Sequence, residues 1–363
     1  MPLRPLSKRL RPATAVVLLG SVLLAGCREV PSVPDAAGPT GQPASTAPET
    51  TEGLGGASDR QSPSASAGSA SPSASGSGSD TTASTPPSSS GGTEVAAAVP
   101  PVPAAGTKPI PGNAVRIAEF VAECKFSHRL PDDPIVVPGL PGGSHSHDFF
   151  GNNVTDAMTN LGDLRGGKTN CAPKVDLSSY WAPTLMADGK AVPPDSATFY
   201  YLGEGVSRDI TAKIRPMPVG LKMVAGNAKA TSEADSRSRW SCLHAGHVGA
   251  SKDFVNCPAG TKLETYLDFP QCWDGKNLYR VNSAHMAYPQ ADRCPSSHPI
   301  AVPKIRMVLR YPVSGDPAKL RLSSGDGLTM HADFMNAWNE QELTRRVRDC
   351  INRIVKCGPD GEY

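Results

Sequence analysis

The first 112 residues contain no phenylalanine, tyrosine, tryptophan or histidine. From residue 28 onward this segment consists mainly of Ser, Gly, Pro, Ala and Thr, as in the run SPSASAGSASPSASGSGS at 62–79. A chain of this composition buries too little apolar surface to offset the entropy lost on folding. We therefore predict a disordered tether over residues 28–112 and a globular domain over residues 113–363, which hold all the aromatic side chains.

Long hydrophobic runs are also missing. The one extended apolar stretch, residues 13–25, is shorter than the roughly 20 residues that a membrane-spanning helix needs. It follows a basic segment and runs into Leu24-Ala25-Gly26-Cys27, the pattern at which bacterial signal peptides are cleaved and the cysteine is lipidated. Residues 1–27 are thus predicted to be a lipoprotein signal peptide. Lipidated Cys27 would anchor an extracytoplasmic protein to the outer face of the cell membrane.

Neither sign of charge dominates, since 36 Lys and Arg are balanced by 34 Asp and Glu. A nearly neutral chain gives no electrostatic reason to expect a nucleic-acid partner. A P-loop, a dinucleotide-binding fingerprint, an H-E-x-x-H motif and an EF-hand loop are absent from the sequence. The lipid anchor makes the membrane an expected partner, and a polysaccharide or the cell wall is the other candidate partner.

The domain contains eight cysteines besides Cys27, and no two of them form a C-x-x-C pair. That absence argues against a thioredoxin-like redox site or a zinc knuckle. An even number of cysteines in an exported domain predicts four disulfides. The connectivity does not follow from the count, and only two pairs of sequence neighbours are suggested: Cys350 with Cys357, and Cys242 with Cys257.

Alternation of apolar and polar residues predicts strands at 262–269 and 304–313, each with one buried face. Residues 198–202 and 221–225 are weaker strand candidates. Proline and glycine are frequent throughout the domain, which indicates long irregular connections. We therefore predict a mainly β fold, a sandwich or a jelly-roll-like arrangement, with long disulfide-pinned loops.

One helix is predicted, near the C-terminus. Asn339 and Glu342 have the spacing of a capping box, and Gly358 is a candidate end. The positions that keep a helical apolar stripe are Leu343, Val347, Ile351 and Ile354.

Several sequence blocks occur in order along the domain: F-S-H at 126–128, D-D-P-I-V at 132–136, S-H-S-H-D-F-F-G-N at 144–152, S-Y-W-A-P-T-L at 179–185, F-P-Q-C-W-D-G at 269–275, S-A-H-M-A-Y-P at 283–289 and H-A-D-F at 331–334. This series resembles the DUF1996 family over essentially the whole stretch from Glu123 to Cys350. The resemblance implies an exported protein of a family found in fungi and filamentous bacteria. Some fungal members are joined to carbohydrate-binding WSC modules, and the resemblance implies no catalytic assignment.

Histidines suggest a metal site. In an extended segment His145 and His147 project to the same face, a spacing that can present two imidazoles to one divalent metal ion. His285, His331 and Asp333 are candidates to complete it. Such a donor set suits zinc, copper or non-haem iron. The alternative is that these histidines form hydrogen bonds between buried loops.

Two further groups of residues could serve a substrate. The candidate acid or base groups are Asp132, Asp133 and Asp148, which are equally suited to turns and caps. The candidate stacking faces for a sugar are Tyr180, Trp181 and Trp273, which could equally belong to the core.

These patterns lead to one main hypothesis, a carbohydrate-directed protein with a metal-dependent hydrolase or lyase site. The competing hypothesis is a non-catalytic polysaccharide-binding or surface-adhesion module with structural histidines. A structural protein of the cell wall is a third option.

Overall fold

The computed structural model describes residues 93–243 and 251–363. Cys27, with the rest of the predicted signal peptide, and most of the predicted tether lie outside these residues. The strands in chain order are β1 (Glu94–Val95), β2 (Glu119–Cys124), β3 (Phe126–Leu130), β4 (His147–Gly151), β5 (Ser179–Pro183), β6 (Leu185–Ala187), β7 (Lys190–Val192), β8 (Ser196–Leu202), β9 (Lys222–Gly226), β10 (Arg239–Leu243), β11 (Lys262–Asp268), β12 (Cys272–Trp273), β13 (Asn277–Tyr279), β14 (Met286–Ala287), β15 (Ile300–Ala301), β16 (Lys304–Tyr311), β17 (Leu320–Leu322) and β18 (His331–Met335). The helices are α1 (Leu161–Gly166), α2 (Arg208–Thr211) and α3 (Glu340–Arg346), the last continued by a π-helical turn, Val347–Ile351. Short 3₁₀ turns cover Val281–Ser283 and Gly327–Thr329.

Two five-stranded sheets form the body of the domain. The first has the strand order β10-β11-β16-β8-β2 and the second the order β3-β4-β5-β18-β9. All neighbouring strands in both sheets are antiparallel. Smaller ladders join β1 to β13, β12 to β14 and β15, and β6 to β7 and β17. The prediction of a mainly β fold is therefore confirmed, and its form is a sandwich.

Aromatic side chains hold the two sheets together. The Tyr180 ring on β5 stacks on the Phe199 ring on β8, with 3.7 Å between ring centroids. The hydroxyls of Tyr180 and Tyr201 lie 2.6 Å apart, and the indole Nε1 of Trp338 donates to the Tyr201 hydroxyl at 2.9 Å. All four side chains are buried. The interface between the sheets is thus apolar with a satisfied polar centre, as a sandwich core requires.

The strands with the clearest alternation lie in the first sheet. The predicted strands at 262–269 and 304–313 correspond to β11 and β16, which pair with each other. The predicted inward positions are all buried: Leu263, Thr265, Leu267, Phe269, Ile305, Met307, Leu309 and Tyr311. The weaker candidates at 198–202 and 221–225 match β8 and β9 within two residues.

The C-terminal helix begins where the sequence predicts. The Asn339 side chain accepts the Glu342 backbone N–H at 3.0 Å, so it caps the first turn of α3. The helical segment ends at Ile351, well before Gly358. The chain reverses there, and the Val355 N–H donates to the Cys350 carbonyl at 2.9 Å.

Four disulfides join the eight domain cysteines: Cys124–Cys171, Cys242–Cys257, Cys272–Cys294 and Cys350–Cys357. Both suggested neighbour pairs are confirmed. Four disulfides place the domain in an oxidising, extracytoplasmic compartment. Among the described residues, no helix has the length and apolar character needed to cross a bilayer.

The end of the predicted tether lies against the domain. β1 pairs with β13, and the Glu94 carboxylate contacts the Lys222 ammonium at 2.7 Å. Farther along, Lys108 forms an ion pair with Glu362 near the C-terminus. Glu94, Val95 and Lys108, which precede the predicted domain boundary at residue 113, therefore contact the folded domain.

The three central strands of the second sheet, β4, β5 and β18, are buried on both faces. The inner face of the sheet packs into the sandwich, and its outer face is covered by residues 131–146 and by α1. The apolar cluster on this outer face includes Ile135, Phe149, Leu164, Trp181 and Met335. A sheet covered on both sides shields any polar side chain on its outer face from water.

The stacked pair at the centre of the sandwich generates a stability prediction. Phe199→Ala removes a fully buried ring and should lower the free energy of unfolding by about 3–5 kcal/mol. Tyr200→Ala is the matched control, because Tyr200 is the next residue of β8 and is only partly buried. Denaturant unfolding with intact disulfides measures both. Equal losses in the two variants would contradict this description of the core.

Candidate metal centre

Three imidazoles meet on the outer face of the second sheet. His147 is the first residue of β4 and His331 the first of β18, and β5 lies between these strands. Strand alternation turns both side chains outward, because Phe150 and Phe334 point into the sandwich. His145 lies just before β4, in the segment that covers this face.

The ring nitrogens of the three histidines converge. The Nε2 atom of His331 lies 3.1 Å from Nε2 of His145 and 3.3 Å from Nε2 of His147. Zinc with nitrogen ligands at about 2.0–2.1 Å in a tetrahedral site separates neighbouring ligands by about 3.3 Å. The two distances to His331 match this separation, and ligand nitrogens of all three rings lie within 4.8 Å of one another.

Backbone carbonyls fix the tautomers of the two buried rings. Nδ1 of His147 donates to the Asp132 carbonyl oxygen at 2.9 Å, and Nδ1 of His331 donates to the Thr329 carbonyl oxygen at 2.9 Å. A carbonyl oxygen only accepts, so each Nδ1 carries the proton and each neutral ring has a lone pair on Nε2. Two lone pairs facing each other at 3.3 Å repel, and one proton from His145 satisfies only one of them. A cation at this point would satisfy all three rings.

Burial keeps the three rings neutral. It lowers the pKa of His145, of His147 and, to about 4, of His331. The neighbouring imidazoles lower the pKa of His147 further. Neutral imidazole is the form that binds a metal ion, so the cluster is in its ligating state at neutral pH.

Two carboxyl groups lie beside the imidazoles. Ligand atoms of Asp133, His147 and Asp333 lie within 4.8 Å of one another. Asp333 is fully buried, and neither of its carboxylate oxygens has a hydrogen-bond partner among the described residues. Burial first, and then the charge of Asp133, raises the pKa of Asp333 well above its usual value. A buried carboxyl without partners requires either a proton or a cation.

Asp133 is held by its own loop. Its Oδ1 accepts the backbone N–H groups of Ile135 and Val136, each at 2.9 Å. Burial nevertheless raises its pKa to about 6. Sequence reasoning treated Asp133 as an acid or base group, whereas the structure places it with the metal candidates. Its position in the D-D-P-I-V block gives no sign of this, because β18 is distant in sequence.

The other two candidate aspartates make hydrogen bonds elsewhere. The Asp132 carboxylate accepts the N–H groups of Gly142 at 2.7 Å and Ala157 at 3.1 Å, which ties down the covering segment. Asp148 accepts from Arg129 Nε at 2.6 Å and from Thr184 Oγ1 at 2.8 Å, and alternation along β4 turns it away from His147. Both carboxylates are thus engaged in holding the fold.

His285 is also apart from the cluster. Its Nε2 donates to the Lys222 carbonyl at 2.7 Å, and its Nδ1 accepts the Arg280 N–H at 3.2 Å. With both ring nitrogens used, His285 has no lone pair for a metal ion.

The three predicted stacking residues belong to the core. Tyr180, Trp181 and Trp273 are each 0 % exposed. Their rings are therefore covered by other side chains of the described domain and are not exposed as stacking faces.

A cleft of about 470 Å³ lies along β9, the strand next to β18, and its described lining residues include none of the clustered imidazoles or carboxyls. Its walls include Val224 and Gly226, which lie directly opposite Asp333 and His331 in the ladder between β9 and β18. Tyr279 is a third wall residue, and burial followed by the charges of Asp133 and Asp333 raises its pKa. Sequence reasoning missed this cleft, because only the strand order reveals that β9 lies beside β18, the strand that carries His331 and Asp333.

The rim of the cleft contains backbone strain. Asn282 and Ser283 are consecutive non-glycine residues with φ of 56° and 51°. Such left-handed residues cost free energy and concentrate at functional sites.

Comparison with known families gives a match. The family described as "Domain of unknown function (DUF1996)" matches residues 133–338. The matched segment begins at Asp133 and includes all the clustered imidazoles and carboxyls. The curated proteins and the solved structures give no match.

The raised pKa of Asp133 generates a pH prediction for metal-free protein. The folded state favours the protonated carboxyl, so the stability contributed by this group is present below pH about 4 and is lost as pH rises through about 6. Asp133→Asn mimics the protonated form. The free energy of unfolding of Asp133→Asn minus that of the natural protein should therefore increase between pH 4 and pH 7, by on the order of 2–3 kcal/mol.

Chemical denaturation at each pH measures this difference. Asp188→Asn is the control, because Asp188 is an exposed turn residue with a φ of 49° that asparagine adopts readily. A difference between Asp133→Asn and the natural protein that does not vary with pH would refute the assignment.

Proposed function

The chain belongs to the DUF1996 family of domains of unknown function, and on that premise we propose that it binds one divalent metal ion through His145, His147 and His331. We propose further that this centre performs metal-dependent hydrolysis or lyase chemistry on an extracellular polysaccharide. The observation that carries the proposal is the convergence of three Nε2 atoms, two of them fixed as acceptors by backbone carbonyls.

Three neutral nitrogen ligands are the set that catalytic zinc sites use while leaving a position open. When bound there, such an ion lowers the pKa of a water ligand to about 7 and polarises an oxygen of the substrate. Copper and non-haem iron also accept imidazole and carboxylate ligands.

The chain's own residues would prepare this chemistry. The hydrogen bonds from Nδ1 of His147 and His331 hold the rings in their ligating orientation. Asp333 would release its proton as the cation binds, because positive charge stabilises the buried carboxylate. Its carboxylate or that of Asp133 is then placed to accept a proton beside the ion.

The cleft beside the cluster is the proposed seat of the substrate. Its polar lining includes Asn227, Lys229, Tyr279 and Asn282, which can bond to sugar hydroxyls. A lipid anchor at Cys27 remains part of the proposal, and it would hold the domain at the cell surface near wall polysaccharide.

Metal binding is the first test. Full-length protein should hold one zinc ion per chain by elemental analysis, and His331→Ala should lower its affinity by at least about 100-fold. His298→Ala is the matched control, since among the described residues that ring bonds Ser297 Oγ and the Ala284 carbonyl and lies outside the cluster. The centre would be refuted if the natural protein held no zinc and added zinc did not change its stability. It would also be refuted if both variants lost zinc equally.

Catalysis is tested separately on extracellular polysaccharides. Activity should disappear with a chelator, return with zinc, and fall by about 100-fold or more in Asp333→Asn, because that carboxyl adjoins the ion. Asp188→Asn should retain it. If the protein holds one metal ion per chain but turns over no polymer, it is a metal-stabilised binding module, and the proposal that it is an enzyme is rejected.

A further inference from the structure

A second cleft, of about 570 Å³, opens beside the first sheet and uses none of the metal-centre residues. The side chains that matter for its chemistry are Arg237, Arg239, Lys252, Lys304, Gln271 and Tyr288. Neither the DUF1996 description nor the proposed function assigns it a role.

The cleft has more positive than negative charge. Four of its lining residues are basic, and two, Asp235 and Asp268, are acidic. Asp268 already contacts Arg239 at 3.2 Å and Lys304 at 3.4 Å. Among the residues that the structure describes, Arg237 and Lys252 have no carboxylate partner, since the Lys252 ammonium donates only to the Ser236 carbonyl at 3.0 Å. Two cationic side chains without a carboxylate partner therefore line the cleft. They outnumber the one lining carboxylate that no basic residue pairs with in the described part of the chain, Asp235, which accepts from Ser232 Oγ at 2.8 Å.

Arg237 is exposed and yet held in position. Its guanidinium carbon lies 3.7 Å from the centroid of the Tyr288 ring. The ring is fixed in turn, because the Tyr288 hydroxyl donates to the Asp268 carbonyl at 3.0 Å. A guanidinium stacked through one face keeps its edge N–H groups free, and their fork matches the two oxygens of a carboxylate.

Gln271 adds a neutral acceptor. It is 1 % exposed, and its Nε2 donates to the Glu204 carbonyl at 3.0 Å. Its Oε1 is buried without a partner among the described residues, and Gln271 is one of the residues that line the cleft. Gly205, with φ of 88°, approaches so closely that a Cβ there would lie 2.7 Å from this oxygen. An unpartnered buried acceptor calls for a donor such as a ligand hydroxyl.

From these contacts we infer that the cleft binds a uronic acid unit of an acidic polysaccharide. Its carboxylate bonds the fork of Arg237 with help from Lys252, and a ring hydroxyl donates to Gln271 Oε1. The inference goes beyond the proposed function, because it stands on this cleft alone and holds whether or not the histidine cluster is catalytic.

The test is calorimetric titration of the full-length protein, solubilised in detergent and treated with chelator. Polygalacturonate oligosaccharides should bind, and neutral dextran oligosaccharides should not. Arg237→Gln and Lys252→Gln should each weaken binding by at least 10-fold. Arg116→Gln, which removes an exposed arginine outside the cleft, should leave it unchanged.

Three results would overturn the inference. One is an equal loss in Arg237→Gln and Arg116→Gln. Another is equal or tighter binding of an oligonucleotide or a glycerol-phosphate oligomer, which would reduce the cleft to a general anion or phosphate site. The third is binding that appears only after zinc is restored, which would move the ligand to the histidine cluster. Because the titration uses metal-free protein, it tests uronic acid binding in this cleft independently of metal binding by the histidines.

Discussion

Two backbone carbonyl oxygens determine the chemistry that the histidine cluster can have. The carbonyls of Asp132 and Thr329 each take the Nδ1 proton of a buried imidazole, and this leaves two Nε2 lone pairs 3.3 Å apart. In a dry environment that arrangement is unfavourable without a positive charge between the rings. The unpartnered Asp333 carboxyl beside the rings increases the need for a positive charge at this point. The outer face of the second sheet therefore resembles an assembled ligand set more than a set of loop hydrogen bonds.

The sandwich provides the rigidity that this set needs. The inner face of the second sheet is fixed by the stack of Tyr180 on Phe199, and the outer face is covered by the segment that carries Asp133 and His145. Covering both faces explains two features together. It buries Trp181 completely, and it shields the imidazoles so that their pKa values fall and they remain neutral.

Local sequence patterns predicted the features that depend on residues close together in the chain. The alternation in β11 and β16, the Asn339 cap of α3 and the short-range pair Cys350–Cys357 all follow from neighbouring residues. The site depends on strand order instead. His145 and His147 meet as proposed, but His145 lies in a loop before β4, so strand alternation alone does not bring them together.

The same limit explains the remaining site residues. No local signal distinguishes His285 from His331. Both ring nitrogens of His285 bond to backbone groups, whereas His331 bonds the backbone only through Nδ1 and turns its Nε2 towards the other two imidazoles. Asp132 and Asp133 are adjacent, yet the first secures the covering segment and the second faces Asp333. Only the path of that segment over the sheet separates their roles.

Long-range ¹H–¹⁵N correlation spectra of metal-free protein test directly whether the backbone carbonyls leave the Nε2 atoms available to a metal ion. We expect His147 and His331 to be neutral with the proton on Nδ1, and we expect one equivalent of zinc to shift their Nε2 resonances. Protonated Nε2 atoms in these two rings, or resonances that do not respond to zinc, would contradict this expectation.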